Sequence, residues 1–308
     1  MTSASADCRA ELDALGVIAV GGGEAADFLA AQITSDVRVV SAGRGQLGAW
    51  CTPQGRVIAV IQVLHRGDGY WLLLPSELLT PVRQRLQRYV LRARVRIDEM
   101  TGIRILGVLG TAAIEAVAGH TPAGSYSVTT VGDTLCVRQP GADPRFLVLG
   151  HPGSIASHWA SALAAAAAMD ANAWSLLDIS AGIPTVTAAT SGHFLPQMLN
   201  LDALDAVSFT KGCYPGQEIV ARVKYRGEVK RRLYPGDTMG PVRIGDRLVA
   251  GDEAQAIGEV VTVATRPEGG LALLAVLQPG HAAGDGVRVG TLAGPIARFT
   301  MPPYPLPG

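Results

Sequence analysis

The chain has 308 residues, of which 48% are hydrophobic and 17% are charged, and its formal net charge is zero. This composition excludes a disordered protein, and the length allows two or three compact domains. A neutral protein has no global field that attracts nucleic acid or an anionic membrane, so such a partner would need a local patch. No hydrophobic run reaches membrane-spanning length, and residues 1–13 lack a basic-then-apolar signal pattern. We therefore expect a cytoplasmic protein without a membrane partner.

The first elements alternate between helix and strand. A triple glycine at 21–23 precedes a segment with near-helical apolar spacing, which predicts a short helix over 24–33. The sequence Thr52-Pro-Gln-Gly55 lies between two apolar stretches and predicts the turn of a β-hairpin. Further strands are predicted at 69–75 and 95–98.

A helix is predicted between these last two strands. Thr80 is its predicted N-cap and Pro81 lies in its first turn. Its predicted apolar face consists of Val82, Leu86, Tyr89 and Val90. The remaining surface carries Arg83, Arg85, Arg88 and Arg92. This cationic surface is open to two interpretations, contact with an anionic partner or an ordinary solvated helix face.

The rest of the chain repeats the alternation and then changes character. Strands are predicted at 103–109, 129–137 and 145–149, with helices at 112–118 and 155–169, the second capped by Ser154. After Leu233, glycine and proline punctuate short apolar runs, which predicts a small antiparallel barrel. Its predicted strands are 246–250, 258–264, 271–277, 287–289 and 296–300. We expect the tail over 301–308 to pack loosely.

The sequence therefore predicts an α+β fold with two related mixed α/β domains and a C-terminal antiparallel β-barrel. The expected domain bounds are 1–100, 101–232 and 233–308.

Four cysteines lie at 8, 51, 136 and 213, and no two share a metal-ligand or dithiol spacing. We expect no metal site and no disulfide bond. Cys8 is predicted on a frayed terminus, whereas Cys51 and Cys136 lie beside apolar strands and are predicted to be buried. Only Cys213 has neighbours that suit chemistry.

The segment Lys211-Gly-Cys-Tyr-Pro-Gly-Gln-Glu-Ile-Val-Ala-Arg222 contains that cysteine. Gly212 and Gly216 permit unusual backbone angles and close approach of a ligand. Lys211 would hold a nearby thiol partly as thiolate, and a helix opened by Pro215 would add its dipole to that effect. No histidine lies within ten residues, and we interpret His193 as a loop residue rather than a base.

Two polar groups flank this segment. The stretch 194–202 contains Gln197 and Asn200, whose amides suit the edge of a heterocycle, although turn capping explains Asn200 and Asp202 equally well. The basic stretch after the cysteine contains Arg222, Lys224, Arg226, Lys230, Arg231 and Arg232. Arg222, Lys224 and Arg226 would share one face of a strand. That face would bind a polyanion such as a polyglutamate tail or RNA phosphate, or form a charge-protected edge strand.

The segments Phe194-Leu-Pro-Gln-Met-Leu-Asn-Leu-Asp202 and Ser208-Phe-Thr-Lys-Gly-Cys-Tyr-Pro-Gly-Gln-Glu-Ile-Val-Ala-Arg222 closely resemble the YgfZ family. This folate-binding group is related to the T-protein, the aminomethyltransferase of the glycine cleavage system. The resemblance continues in Lys224-Tyr-Arg-Gly227, in Trp174 with Ala181-Gly-Ile-Pro184, and in Phe28-Leu with Gln32-Ile-Thr-Ser-Asp-Val37. It covers essentially the whole chain.

This resemblance implies two related α+β domains and a barrel around a central channel that binds tetrahydrofolate or a one-carbon derivative. It also implies a role in making or repairing iron–sulfur clusters. In bacteria this role is seen in the activity of enzymes that thiolate tRNA. The implied partners are folate, iron–sulfur client or assembly proteins and, indirectly, tRNA. Lys211 and Cys213 become the candidate catalytic residues. The candidate folate-channel residues are Trp174, Gln197, Asn200, Gly212, Tyr214, Gln217, Glu218, Arg222 and Arg226.

One departure from the related T-proteins concerns catalysis. T-proteins carry an acidic pair in the strand after the first hairpin, but Gly55-Arg-Val-Ile-Ala-Val-Ile61 has no carboxylate. Ala59 and Val60 cannot serve an aminomethyl transfer, so we do not expect that reaction. A folate-dependent one-carbon transferase and a tRNA-binding module that uses residues 222–232 remain the alternatives. Pro215 stands where threonine is common in the family, which should stiffen the loop without moving Cys213.

Overall fold

The computed structural model describes residues 7–251, 256–284 and 286–307. By its contacts the chain divides into two compact units. The first unit comprises Met1–Leu29, Val37–Leu47 and Ile61–Trp174. The second comprises Ala30–Asp36, Gly48–Val60 and Ser175–Gly308. The division into three domains expected from the sequence stays a prediction.

The described strands are numbered in chain order. They are β1 (Cys8–Glu11), β2 (Leu15–Gly21), β3 (Gln46–Cys51), β4 (Val57–Arg66), β5 (Gly69–Pro75), β6 (Arg96–Met100), β7 (Arg104–Leu109), β8 (Val128–Val131), β9 (Thr134–Gln139), β10 (Arg145–Gly150), β11 (Ala167–Ala168), β12 (Arg232–Thr238), β13 (Arg247–Val249), β14 (Ala256–Thr265), β15 (Leu271–Leu277), β16 (Arg288–Val289) and β17 (Ala297–Phe299).

The described α-helices are short. They are α1 (Ala25–Ala30), α2 (Leu79–Gln87), α3 (Ala112–Ala118), α4 (Pro152–Leu163), α5 (Ala171–Ser180) and α6 (Gln217–Arg226). Single 3₁₀ turns occur at Val37–Val39, Ser76–Leu78, Pro196–Leu199 and Pro279–His281. In the described ranges no helix is long and apolar enough to cross a membrane.

A six-stranded sheet in the first unit has the order β11-β1-β7-β10-β9-β8. Its core combines apolar side chains of β7, β9 and β10 with those of α3 and α4, including Phe146 and Trp159. The buried indole of Trp159 donates to the hydroxyl of Thr134 over 2.8 Å. This bond pairs a polar group that would otherwise be costly to bury.

A second, five-stranded sheet has the order β3-β4-β5-β2-β6. Strand β4 is apolar along most of its length, and its first eight residues are buried. The turn between β3 and β4 is closed by the Gly55 N–H, which donates to the Thr52 carbonyl over 2.9 Å. Gly55 has a φ of 73°, a value that glycine adopts without strain. The predicted hairpin is confirmed.

The C-terminal strands in the second unit form an antiparallel sheet with the order β16-β13-β14-β15-β12-β17. The two edge strands of this sheet, β16 and β17, meet. Arg288 and Ile296 form an isolated β-bridge, and the Ala297 N–H donates to the Val287 carbonyl over 2.9 Å. A continuous apolar interior includes Leu248, Leu273 and Phe299. The predicted α+β fold with a C-terminal antiparallel barrel is therefore confirmed.

Three predicted helices have other bounds in the structure. Helix α1 is Ala25–Ala30 instead of 24–33. Helix α4 begins at Pro152 and ends at Leu163 instead of running from a Ser154 cap to residue 169. The alanines beyond it form β11, where the Ala167 N–H donates to the Asp7 carbonyl over 2.8 Å. Pairing with β1 thus prevails over the helix propensity of alanine. It also places Cys8 inside a paired strand and not on a frayed terminus.

Helix α2 also differs from its prediction. It begins at Leu79, so Thr80 is not its N-cap, and the Thr80 hydroxyl donates to the carboxylate of Glu99 over 3.2 Å. Because the helix ends at Gln87, Tyr89 lies beyond the apolar face and is exposed.

One strand prediction was wrong, three further strands were missed, and the tail needs correction as well. The segment 129–137 is a hairpin, with Gly132 at φ 54° in its turn. Strands β1, β2 and β12 were missed, the last because Pro235-Gly236 indicates a turn. The tail does not pack loosely, since the Tyr304 hydroxyl donates to the Gly182 carbonyl over 2.8 Å.

Candidate functional site

Lys211 is buried in the second unit with only 8% of its surface exposed. Its ammonium donates hydrogen bonds to the carbonyls of Ala30 and Ile33, and lies 4.8 Å from the centre of the Tyr214 ring. Ala30 is the last residue of α1, so its carbonyl has no partner within that helix. These contacts stabilise a buried charge that would otherwise be costly. They hold the cysteine motif against residues 30–33.

The segment that receives Lys211 is itself fixed by Thr34. The buried Thr34 hydroxyl donates to the Ala206 carbonyl over 2.6 Å and accepts from the Ala49 N–H over 2.8 Å. The Ser208 N–H donates to the Thr34 carbonyl over 2.9 Å. Residues 30–36 therefore join strand β3 to the start of the cysteine motif.

Tyr214 is the second buried residue of the motif, with 6% of its surface exposed. Burial raises the pKa of its hydroxyl, and the nearby Cys51 thiol adds to the rise. Burial likewise raises the pKa of Cys51 to about 12. The Tyr214 hydroxyl has no hydrogen-bond partner among the residues that the structure describes.

Three further buried polar atoms lack a partner in the described part of this region. They are Gln32 Oε1, Ser35 Oγ and Trp50 Nε1. Trp50 lies next to Cys51 and pairs with Ile33 in an isolated bridge. The Ser35 hydroxyl packs against Gly48, where a Cβ would lie 2.4 Å from the hydroxyl oxygen. None of these residues was predicted as a site residue from the sequence, although Gln32 and Ser35 belong to a segment that carries the family resemblance.

The two glycines of the motif differ in their surroundings. Gly216 has a φ of 82°, and a Cβ there would lie 2.4 Å from the Cα of Gly55 in the β3–β4 turn. Gly212 is exposed, and a Cβ there would meet nothing within 4 Å. Close backbone packing therefore requires glycine at position 216 and not at position 212. The unusual backbone angle and close approach predicted for both glycines are found at Gly216 alone of the two.

Helix α6 begins at Gln217, with Gly216 as its N-cap. The predicted strand face of Arg222, Lys224 and Arg226 is therefore wrong, because all three lie on this helix and are exposed. The Gln217 N–H donates to the Tyr214 carbonyl over 3.1 Å.

Cys213 precedes the helix and is exposed, whereas Cys51 and Cys136 are buried as predicted. Glu218 is exposed and Gln217 is partly buried.

The amide and acid of the 194–202 stretch are held in structural contacts. Asn200, at a left-handed φ of 56°, donates to the Leu233 carbonyl over 2.8 Å and accepts from the Leu233 N–H. Asp202 forms a buried ion pair of 2.6 Å with Arg232. Both residues attach this stretch to β12, which favours the structural alternative for them.

Gln197 is buried in the same stretch and donates to the Val220 carbonyl of α6 over 2.7 Å. Its amide oxygen has no partner within the described ranges. Gln197 also lines a cavity of about 350 Å³, together with Asp202, Val223, Lys224 and Arg232.

Trp174 is the one candidate that belongs to the first unit. Its ring lies against Gly107, where a Cβ would approach it to 2.4 Å, and the Arg145 guanidinium lies 5.1 Å from the ring centre. The other candidate residues all belong to the second unit.

Among the described contacts of His193, none is with Cys213, so no contact supports a role as its base. Its Nδ1 lies 2.6 Å from the Glu259 carboxylate, and its carbonyl accepts from Arg56 over 2.7 Å. In the part of the chain that the structure describes, no group of three or more His, Cys, Asp or Glu side chains could hold a metal.

The fold is that of an aminomethyltransferase T-protein. The chain aligns with the crystal structure of glycine cleavage system aminomethyltransferase T from Bartonella henselae at a TM-score of 0.75 and 14% identity. The alignment covers 96% of this chain and 85% of that one. Identity this low establishes the fold alone.

Sequence relatives define the family within this fold. The tRNA-modifying protein YgfZ of Yersinia pestis strain Pestoides F is 32% identical over 295 residues, which cover 92% of this chain and 89% of the relative. That of Colwellia psychrerythraea strain 34H is 34% identical over 227 residues, which cover 73% and 69%. No family model matches the chain. The chain belongs to the YgfZ family.

The contrast between the two glycines gives a direct test of the motif's packing. We expect Gly216→Ala to lower the free energy of unfolding by about 2 kcal/mol or more, because a methyl group would strain φ and collide with the backbone of Gly55. Gly212→Ala is the matched control and should change it by less than about 0.5 kcal/mol. Urea unfolding measures both, and equal stabilities of the two variants would contradict the described packing.

Proposed function

We propose that this protein binds tetrahydrofolate, or a one-carbon derivative of it, in the cytoplasm. It then acts as an accessory protein in the assembly or repair of iron–sulfur clusters. Its clients would be iron–sulfur enzymes such as those that thiolate tRNA. Two findings support the proposal: the chain belongs to a family whose relatives are named tRNA-modifying proteins, and it has the T-protein fold.

The observation that carries the proposal is a set of unpaired buried polar atoms on the cysteine motif and on the segments 30–36 and 48–51. Tyr214, Trp50, Ser35 and Gln32 each bury a polar atom that has no described partner. Buried polar groups in native proteins are nearly always paired, and each unpaired one costs about 1–3 kcal/mol. The four atoms include hydrogen-bond donors and acceptors, and a pterin ring carries both along its edge.

The exposed residues of the motif would serve the rest of the ligand and the chemistry. Arg222 and Arg226 are exposed cations on α6 and would attract the glutamate tail of folate. Cys213, exposed before α6, would act as a redox or sulfur-handling thiol. Lys211 remains a candidate for activating this thiol, although its described contacts are with backbone carbonyls and Tyr214.

An aminomethyl transfer is not proposed. That reaction would need a carboxylate in the strand after the hairpin, and the corresponding residues of β4 are apolar and buried, including Ala59 and Val60. The shared fold is therefore present here without the acid that the transferase chemistry requires.

Tyr214→Phe tests the ligand site with two readouts. Because its buried hydroxyl has no described partner, removing it should leave the ligand-free protein at least as stable as the wild type. The same change should weaken tetrahydrofolate binding about fivefold or more in titration calorimetry, because a lost hydrogen bond is worth about 1 kcal/mol or more.

Tyr304→Phe is the matched control, since it removes a hydroxyl that donates to the Gly182 carbonyl. It should lose about 1 kcal/mol of stability. If the wild-type protein gives no heat with tetrahydrofolate at high micromolar concentration, the folate proposal fails.

Cys213→Ala tests the thiol. We expect cells that carry this variant to lose activity of iron–sulfur enzymes, while the stability of the purified protein stays within about 0.5 kcal/mol of the wild type. Cys8→Ala is the control. In thiol labelling at pH 8, Cys213 should react faster than Cys51 and Cys136, because those two are buried with pKa values raised to about 12. Wild-type enzyme activity in the Cys213→Ala cells would reduce this cysteine to a structural residue.

A further inference from the structure

The exposed side of α6 and the loop after it concentrate positive charge in a neutral protein. Arg222, Lys224, Arg226 and Lys230 are all exposed. Among the described residues, none of these four forms an ion pair with a carboxylate. Glu218 and Glu228 are also exposed in this segment, so four cations and two carboxylates leave residues 217–230 a net charge of +2. The segment therefore supplies a local positive field that the zero net charge of the chain does not provide.

An aromatic ring lies within this charge. Tyr225 is 67% exposed and lies three residues after Arg222 on the helix, so the two side chains are neighbours on its surface. Its ring meets Phe209 edge-on, at 6.1 Å between centroids and an angle of 75°. Lys224 lies 5.7 Å from the centre of the same Phe209 ring. Phe209 thus orients Tyr225 and leaves most of its ring surface open.

This combination favours one kind of polyanion. A glutamate tail or an acidic protein surface would use the cations but would gain little from an exposed, oriented ring. An RNA with unpaired nucleotides would use both, with phosphates on the cations and a base stacked on the tyrosine. Helix α2 also has exposed arginines near the exposed Tyr89, but no described ring contact orients that tyrosine.

We propose that the exposed surface of α6 and of the loop after it, which we call the α6 surface, binds RNA through unpaired nucleotides. The α6 surface consists of Arg222, Lys224, Tyr225, Arg226 and Lys230. An RNA bound here would lie on the element that directly follows the exposed Cys213. This inference goes beyond the proposed function, because it assigns a direct RNA contact and does not depend on folate binding.

The test measures binding of the full-length protein to a fluorescently labelled, unmodified tRNA transcript by anisotropy at several salt concentrations. We expect Lys224→Glu/Lys230→Glu to weaken binding at least tenfold and to reduce the salt slope by about 2. Tyr225→Ala should weaken binding about tenfold, whereas Tyr225→Phe, which keeps the stacking ring, should bind like the wild type.

The charge-matched control is Arg243→Glu/Arg247→Glu, which changes two exposed arginines near the start of the barrel by the same total charge. Binding should fall less than about threefold in this control, because the change acts only through the distant field. Circular dichroism and thermal unfolding check that all variants are folded.

Four outcomes would overturn the inference. The wild type could fail to bind the transcript, the control could lose as much affinity as the α6 variants, or a fully paired RNA duplex could bind as tightly as the transcript. Tighter binding of poly-glutamate than of the transcript would instead assign this surface to an acidic chain, either the glutamate tail of folate or an acidic protein. Tetrahydrofolate calorimetry on the same preparations reports separately on the proposed function, so failure of one is distinguishable from failure of the other.

Discussion

The site depends on the buried ammonium of Lys211. A charge with so little exposure must find strong acceptors, and it finds the carbonyls of Ala30 and Ile33 together with the face of the Tyr214 ring. This requirement fixes the cysteine motif against residues 30–36, which Thr34 joins in turn to strand β3. The packing of Gly216 on the β3–β4 turn then sets where α6 begins.

The motif therefore divides into a buried part and an exposed part. Lys211 and Gly216 pack against residues 30–33 and the β3–β4 turn, and Tyr214 is buried with a hydroxyl that has no described partner. Cys213 and the cations of α6 are exposed to solvent.

Much of the fold was predictable, because it rests on local patterns. The β3–β4 hairpin, strand β5, helix α3 and five of the barrel strands follow from turn residues and from alternation or runs of apolar residues. The burial of Cys51 and Cys136 followed from their apolar neighbours. The alanines after α4 and the C-terminal tail were misjudged because distant partners decide their structure. Strand β1 pairs with Ala167–Ala168, and Gly182 accepts from Tyr304.

The candidate site was also predictable only where its contacts are local in sequence. The motif identified Lys211 and Cys213, but the acceptors of Lys211 are backbone carbonyls 181 and 178 residues earlier in the chain. A pattern of side chains in the sequence does not predict backbone carbonyls as partners. The basic stretch was taken for a strand because alternating charges suggest one, whereas its continuation from Gly216 as a helix places Tyr225 beside Arg222.

The most direct test of this account is the free energy of unfolding of Lys211→Met, measured in urea beside the exposed control Lys230→Met. If Lys211 is the anchor of the motif, its loss leaves two buried carbonyls unpaired and should cost about 2–4 kcal/mol, while the control stays within about 0.5 kcal/mol of the wild type. An unchanged unfolding free energy for Lys211→Met, combined with lost activity of iron–sulfur enzymes in cells, would contradict the account. It would show that Lys211 acts in the chemistry of Cys213 and not in holding the site together.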